Sequence, residues 1–125
     1  MSGNITCRRG IVAEMERRAG AENAVFLKSS NGKVLLVIFH DWGQDVWFKI
    51  APLVVRFDPK EHIITLYCDM SRSPYGPNGL KEVYPILYSG WGGREGIGES
   101  PRGKEMSLGD AKLVFDILVD FLEEV

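Results

Sequence analysis

The sequence predicts an α+β domain in which an antiparallel sheet of about five strands is flanked by an N-terminal and a C-terminal helix. Two features in the middle of the chain support the sheet, since each pairs two β-rich runs across a tight turn. Amphipathic patterns at both ends support the helices. With 125 residues, 45% of them apolar, the chain suits a single domain over 1–125 with one core. Unrelated scaffolds share this order of elements, so the fold class assigns no function.

Residues 5–20 predict the first helix, because apolar side chains recur there at helical spacing. Its four arginines are Arg8, Arg9, Arg17 and Arg18. Two glutamates lie among them, so a solvated helix face is a simpler interpretation than a basic binding patch. The formal net charge of −2 also argues against nucleic acid or an anionic membrane as the partner.

The first hairpin is predicted by "AVFLKSSNGKVLLVIFH", in which Asn31 and Gly32 separate two β-rich runs. These two residues tolerate the positive φ angles of a type I′ turn, which predicts a two-residue loop and places Leu27 opposite Leu36. The run over residues 34–39 is apolar on both faces. We therefore expect the second strand to lie inside the sheet and to be covered above and below.

The second hairpin is predicted by "PLVVRFD" and "HIITLYCDM", which flank the turn sequence Asp58-Pro59. Alternation along its later strand places Leu66 and Cys68 on one face. A further strand is predicted over residues 83–88, at a sheet edge because Pro85 lacks a backbone N–H group.

The segment of residues 42–50 is ambiguous between a strand and a helical turn. We interpret it as a loop that leads into a strand over residues 46–50. Trp42 and Trp47 in this segment are expected to cover an end of the core.

The last helix is predicted by Ser107 as N-cap, with Asp110 three residues later as its capping-box partner. Its apolar stripe is Leu108, Ala111, Phe115, Leu118, Leu122 and Val125, widened by Val114, Ile117 and Phe121. The stripe is wider than one sheet face requires, which predicts that a second helix or another subunit covers part of it. We expect a homodimer, with Val114, Ile117 and Phe121 as the candidate contact.

The segment "GESPRGKE" matches the spacing of a phosphate-binding loop at Gly98, Gly103 and Lys104, but Glu105 occupies the position of the Ser or Thr. A carboxylate there would repel a phosphate. Lys104 also precedes the predicted helix instead of lying in its first turn. The spacing is therefore interpreted as a coincidence within a glycine-rich loop.

Two long loops, over residues 71–82 and 89–104, carry the leading functional hypothesis. Their candidate binding residues are Arg72, Tyr75, Trp91, Arg94, Arg102 and Lys104. If the loops meet at one end of the sheet, these side chains would form an aromatic and basic rim for a protein partner or an anionic small molecule. The simpler alternatives are a mobile connection with Trp91 folded onto the sheet, and Tyr75 as a packing lid. The glycine density over 89–104 predicts no regular structure there.

An alternative hypothesis is a small enzyme with a site at strand ends around His40, Asp41, Cys68 and Asp69. The apolar neighbours of Cys68 on its strand face predict a buried, inert thiol instead. No His or Cys pair has a recognisable ligand spacing, so we expect no metal and no cofactor. We expect a cytoplasmic protein with free thiols, because neither a membrane-length apolar run nor a secretory signal is present.

Overall fold

The fold is given by a computed structural model that describes residues 25–38, 47–87 and 89–124. Within these residues, six strands form one sheet in the order β1-β2-β3-β4-β6-β5. The strands are β1 (Val25–Lys28), β2 (Val34–Ile38), β3 (Leu53–Asp58), β4 (Ile63–Cys68), β5 (Gly92–Gly93) and β6 (Ile97–Glu99). One helix, α1 (Leu108–Glu124), closes the chain. The α+β class is confirmed, the sheet has more strands than expected, and the helix predicted over residues 5–20 lies outside the described ranges.

The first hairpin has the predicted register, with Leu27 opposite Leu36. Every residue of β2 is buried, which confirms that a strand with two apolar faces lies inside the sheet. The turn, however, is not type I′, because among the described residues Asn31 does not have a positive φ and Gly32 does, at 75°. The N–H of Gly32 donates to the carbonyl of Ser29 over 3.0 Å.

Side-chain hydrogen bonds explain this turn. The Asn31 carboxamide oxygen accepts from the Ser29 hydroxyl at 2.6 Å and from the Lys33 N–H at 2.9 Å. An asparagine whose side chain accepts hydrogen bonds from neighbouring residues stabilises the turn without adopting a left-handed backbone conformation itself. The Asn-Gly pair therefore predicts the hairpin and its register correctly, whereas the turn type depends on Ser29.

The sheet is mixed, which corrects the expectation of a fully antiparallel one. β2 and β3 are parallel, with Val34 opposite Leu53 and Ile38 opposite Phe57. The other neighbouring strands pair antiparallel. Parallel strands require a crossover connection. The doubly apolar β2 is typical of a parallel strand covered on both faces.

The strand predicted over residues 46–50 is wrong for its described part. Residues 47–51 instead form a helical turn, in which the N–H groups of Ile50 and Ala51 donate to the Trp47 carbonyl at 2.9 and 3.1 Å. Trp47 is 1% exposed and is part of the core on one face of the sheet, instead of covering an end of the core as expected. Trp42 lies outside the described ranges.

Two apolar clusters cover the two faces of the sheet. The smaller consists of Leu35, Val37, Trp47, Ala51 and Val54. The larger is formed by one face of β2, β3 and β4 together with α1, Leu80, Val83, Leu87, Trp91 and Met106. The predicted alternation in β4 is confirmed, because Leu66 and Cys68 lie in the larger cluster.

The strand predicted over residues 83–88 is also wrong where the structure describes it. The chain forms 3₁₀ turns at Gly79–Glu82 and Tyr84–Ile86. Pro85 suits the first turn of a helical element, since it has a fixed φ and no donor to satisfy. Val83 and Leu87 still belong to the larger cluster, since residues four apart share one face in a helical turn as well as in a strand.

The predicted capping box of α1 is confirmed in both directions. The Asp110 N–H donates to the Ser107 hydroxyl at 3.1 Å, and the Ser107 N–H donates to the Asp110 carboxylate at 2.9 Å. Among the described residues, no helix is long and apolar enough to cross a membrane.

Removing the N-cap tests this element. Ser107→Ala should lower the free energy of unfolding by about 1 kcal/mol, because the Asp110 N–H loses its side-chain acceptor. Urea unfolding of the two proteins measures the difference. Ser107→Asp supplies another N-cap acceptor and serves as the control. A Ser107→Ala protein as stable as the parent would contradict the assigned cap.

Candidate functional site

The two long loops come together, mainly through backbone contacts. The Leu80 N–H donates to the Glu95 carbonyl at 2.8 Å. A Cβ on Gly79 would lie 2.5 Å from the same oxygen, so close approach requires glycine there. The Lys81 ammonium lies 3.5 Å from the Glu95 carboxylate, an exposed ion pair that contributes little.

Part of the glycine-rich loop is a β-hairpin, which corrects the expectation that it has no regular structure. β5 and β6 pair with Gly93 opposite Gly98, and the Arg94 N–H donates to the Ile97 carbonyl at 2.7 Å. β6 also pairs with β4, so this hairpin extends the main sheet. Backbone hydrogen bonds supply the stability that the few side chains cannot.

Tyr84 holds the hairpin in place. Its hydroxyl lies 2.8 Å from the Arg94 carbonyl and 3.2 Å from the Ile97 carbonyl. Burial raises the pKa of Tyr84 to about 12, and the nearby Cys68 and Glu95 add to this rise. The hydroxyl therefore stays protonated at neutral pH, as its role as a donor requires.

The phosphate-loop spacing of "GESPRGKE" is explained by unrelated structural needs. Gly98 lies in β6, where a Cβ would collide with the Tyr84 hydroxyl. Gly103 has a φ of 77° and supplies a tight turn before α1. Lys104 precedes Leu108, the first residue of α1, by four positions. The segment is therefore not a strand-to-helix phosphate loop.

Two of the six predicted binding residues lie away from this hairpin. The Arg72 guanidinium donates to the Asp69 carboxylate at 3.0 Å and to the Phe48 carbonyl. The Tyr75 hydroxyl donates to the Leu118 carbonyl at 2.9 Å, and its ring centroid is 5.2 Å from that of Phe121. Tyr75 is thus the packing lid of the alternative interpretation.

Trp91 is 8% exposed and belongs to the larger core cluster, so it does not form part of a surface rim. Arg94, Arg102 and Lys104 are exposed, as the binding hypothesis requires. Charged residues in a glycine-rich loop can be recognised from the sequence. Whether an aromatic residue in such a loop lies on the surface or in the core cannot, because the loop has no hydrophobic periodicity.

Arg94 and Arg102 line one groove, of about 600 Å³, which we call the arginine groove. The other residues of the groove used below are Gly92, Gly93, Ile97 and Glu99. Because Arg94 is opposite Ile97 and Gly92 is opposite Glu99 in the hairpin, these four residues share one face of the sheet.

A second depression, of about 460 Å³, shares Glu99, Ser100 and Arg102 with the arginine groove. Its charged residues are Glu61, Glu99, Arg102, Lys104 and Glu105. Three carboxylates against two cations make it a poor site for an anion. The arginine groove has two cations and one carboxylate, so it is the more favourable of the two for a negative group.

Glu99, Gly92 and Ile97 also line the arginine groove, but they are not among the residues predicted from the sequence. A signal for Ile97 and Glu99 was available in the alternation of "EGIGES", where the two residues are two positions apart, as on one strand face. The run is too short and too rich in glycine for this signal to stand out.

The residues of the enzyme hypothesis are only partly described, because His40 and Asp41 lie outside the described ranges. Cys68 is 3% exposed, and burial raises the pKa of its thiol although the Ser73 hydroxyl opposes this rise. The Asp69 carboxylate accepts from the hydroxyl and the N–H of Ser71, which together with Arg72 lower its pKa. Among the described residues, no contact activates Cys68 as a nucleophile or Asp69 as a base.

Within the part of the chain that the structure describes, no three His, Cys, Asp or Glu side chains come together as a metal site. Compared with protein-family models, curated proteins and solved structures, the chain has no match.

Proposed function

We propose that the protein is a non-enzymatic binding or regulatory protein that holds an anionic group, a carboxylate or a phosphate, in the arginine groove. One observation carries the proposal: Arg94 and Arg102 both line the groove, both are exposed, and neither forms an ion pair with another described residue. Arg72, in contrast, already has Asp69 as its partner.

The chemistry of the groove supports an anionic ligand. A guanidinium donates two parallel hydrogen bonds to a carboxylate or a phosphate, which gives orientation as well as attraction. The glycine floor at Gly92 and Gly93 lets a ligand approach the backbone. Because the site is open and exposed, we expect weak binding, with a dissociation constant on the order of 0.1–1 mM for a small anion.

The matched comparison for this function is between cationic side chains inside and outside the groove. Glutarate and inorganic phosphate are titrated into ¹⁵N-labelled protein, and amide shifts are followed by NMR. The largest shifts are expected at Gly92, Gly93 and Arg94. The double variant Arg94→Ala with Arg102→Ala should bind at least tenfold more weakly, because both donors are lost.

Lys81→Ala is the control, since Lys81 is an exposed cation of the neighbouring loop that does not line the groove. Its affinity for the two anions should match that of the parent. The proposal is wrong if the double variant binds glutarate, inorganic phosphate and an acidic peptide all as tightly as the parent does.

We also propose self-association through α1, in a form that differs from the sequence prediction. Val114 is fully buried in its own chain, and Phe121 packs against Tyr75. Leu113 is 50% exposed, and among the described residues of α1 it is the large apolar side chain that is exposed to solvent and could contact a second copy. We therefore expect a dimer through this helix to centre on Leu113 and Ile117. Sedimentation velocity of the parent and of Leu113→Glu, over a range of concentrations, tests whether the protein dimerises through this contact.

A further inference from the structure

We infer that the partner in the arginine groove is a protein segment in an extended conformation, which adds to the sheet beside β5 and carries acidic residues on one face. This inference depends on the proposed function and specifies its ligand. β5 is the last strand of the order β1-β2-β3-β4-β6-β5, so among the described strands it has a neighbour on one side alone.

An edge strand offers backbone donors and acceptors to a chain that lies alongside it. Native sheets usually protect such an edge with bulky charged side chains or proline. Here β5 consists of Gly92 and Gly93, which leave its backbone open. The flanking Arg94 is a cation that can receive a partner's carboxylate.

Gly92 is the residue that the fold itself does not explain. The other glycines of the described residues have a positive φ or have atoms within 4 Å of where a Cβ would lie. Gly92 alone has neither, so a side chain would fit there without strain or collision. Glycine inside a strand lowers stability, and one reason for it is the close approach of a ligand or of another backbone.

The groove face defines the side chains that the partner must carry. A strand paired with β5 lies about 4.8 Å from it, and every second side chain points to the groove face. In such a pairing, one residue of the partner lies opposite Arg94. A second partner residue, two positions away, lies opposite Gly92, and its side chain is on the groove face. Arg102 also lines this groove and can reach a third residue, two positions further on.

This geometry indicates a segment with the pattern acidic-x-apolar-x-acidic. The carboxylates face Arg94 and Arg102, and the apolar side chain covers Gly92 next to Ile97, which is 44% exposed. Glu99 lies on the same face and repels the acidic residues. Glu99 therefore limits the affinity, and its removal should strengthen binding.

The test uses designed peptides and the full chain. The first probe is acetyl-Thr-Glu-Thr-Val-Thr-Glu-Thr-amide, which has the inferred pattern. A second peptide replaces both glutamates with lysine. A third replaces the two threonines that flank valine with proline, which removes backbone donors while keeping both carboxylates. Glutarate reports binding of a small carboxylate alone, and amide shifts of ¹⁵N-labelled protein give each affinity.

We expect the acidic peptide to bind at least tenfold more tightly than glutarate, the lysine peptide or the proline peptide. Gly92→Val should weaken the acidic peptide at least tenfold, because its side chain fills the floor of the groove. Glu99→Gln should strengthen it about threefold, since one like charge is removed. Gly109→Ala, in α1 and outside the groove, is the matched glycine control and should leave the affinity unchanged.

The outcomes separate the two proposals. If glutarate or the proline peptide binds as tightly as the acidic peptide, with dependence on Arg94 and Arg102, the extended partner is wrong and the anion-binding function stands. If the Gly92→Val protein, shown to be folded by its thermal unfolding, binds the acidic peptide as the parent does, the inferred docking is wrong. If replacing both arginines changes the binding of no acidic probe, both proposals are wrong.

Discussion

Replacing Trp91 with alanine should lower the free energy of unfolding by about 3–5 kcal/mol, which is the usual cost of deleting a buried tryptophan side chain. Trp91 is 8% exposed and packs in the larger cluster, next to the hairpin of β5 and β6. A domain of this size has a stability of only about 5–15 kcal/mol. The variant should therefore lose a large part of its thermal stability and any binding in the arginine groove with it.

Urea unfolding measures this effect, with Arg94→Ala as the matched control from the same loop. Arg94 is exposed, so its replacement should change the free energy of unfolding by less than about 0.5 kcal/mol. Trp91→Phe should fall between the two, since it keeps most of the apolar contact. A Trp91→Ala protein within about 1 kcal/mol of the parent would show that this side chain is not part of the core.

The contrast between Trp91 and Arg94 shows which part of the candidate site could be predicted. Exposure of the arginines follows from their charge, because burial of an unpaired guanidinium is costly. The position of Trp91 depends on tertiary packing, and the glycines around it remove the periodicity that would reveal an inward face. The sequence thus predicts that Arg94 and Arg102 are exposed. For Trp91 it leaves open a place in a binding rim and a position folded onto the sheet, and the structure shows the second.

The sheet shows the same division between local and long-range information. The register of β1 and β2 follows from the Asn31-Gly32 pair, which constrains residues close in sequence. The parallel pairing of β2 and β3 depends on a crossover, and no short motif encodes its direction. β5 and β6 are held by backbone pairing and by Tyr84, so their side-chain pattern carries almost no strand signal.

The glycine-rich loop also contains two glycines with opposite expected responses to the same substitution. Gly98→Ala should destabilise the protein by about 1–3 kcal/mol, the usual cost of overpacking. Its Cβ would collide with the Tyr84 hydroxyl and would lie 2.7 Å from two carbons of that ring. Relief of the collision would displace the hydroxyl from the Arg94 and Ile97 carbonyls and so release the hairpin.

Gly92→Ala is the matched control, because it lies in the same hairpin with no atom within 4 Å of its Cβ position. It should leave stability unchanged or raise it by up to about 1 kcal/mol, since alanine restricts the unfolded chain. A double-mutant cycle with Tyr84→Ala identifies the cause of the Gly98→Ala effect. Without the ring, Gly98→Ala should cost almost nothing, which corresponds to a coupling energy on the order of 1–3 kcal/mol. Equal costs of Gly98→Ala in the presence and absence of Tyr84 would contradict the contact, and with it the assignment of Gly98 to hairpin packing instead of phosphate binding.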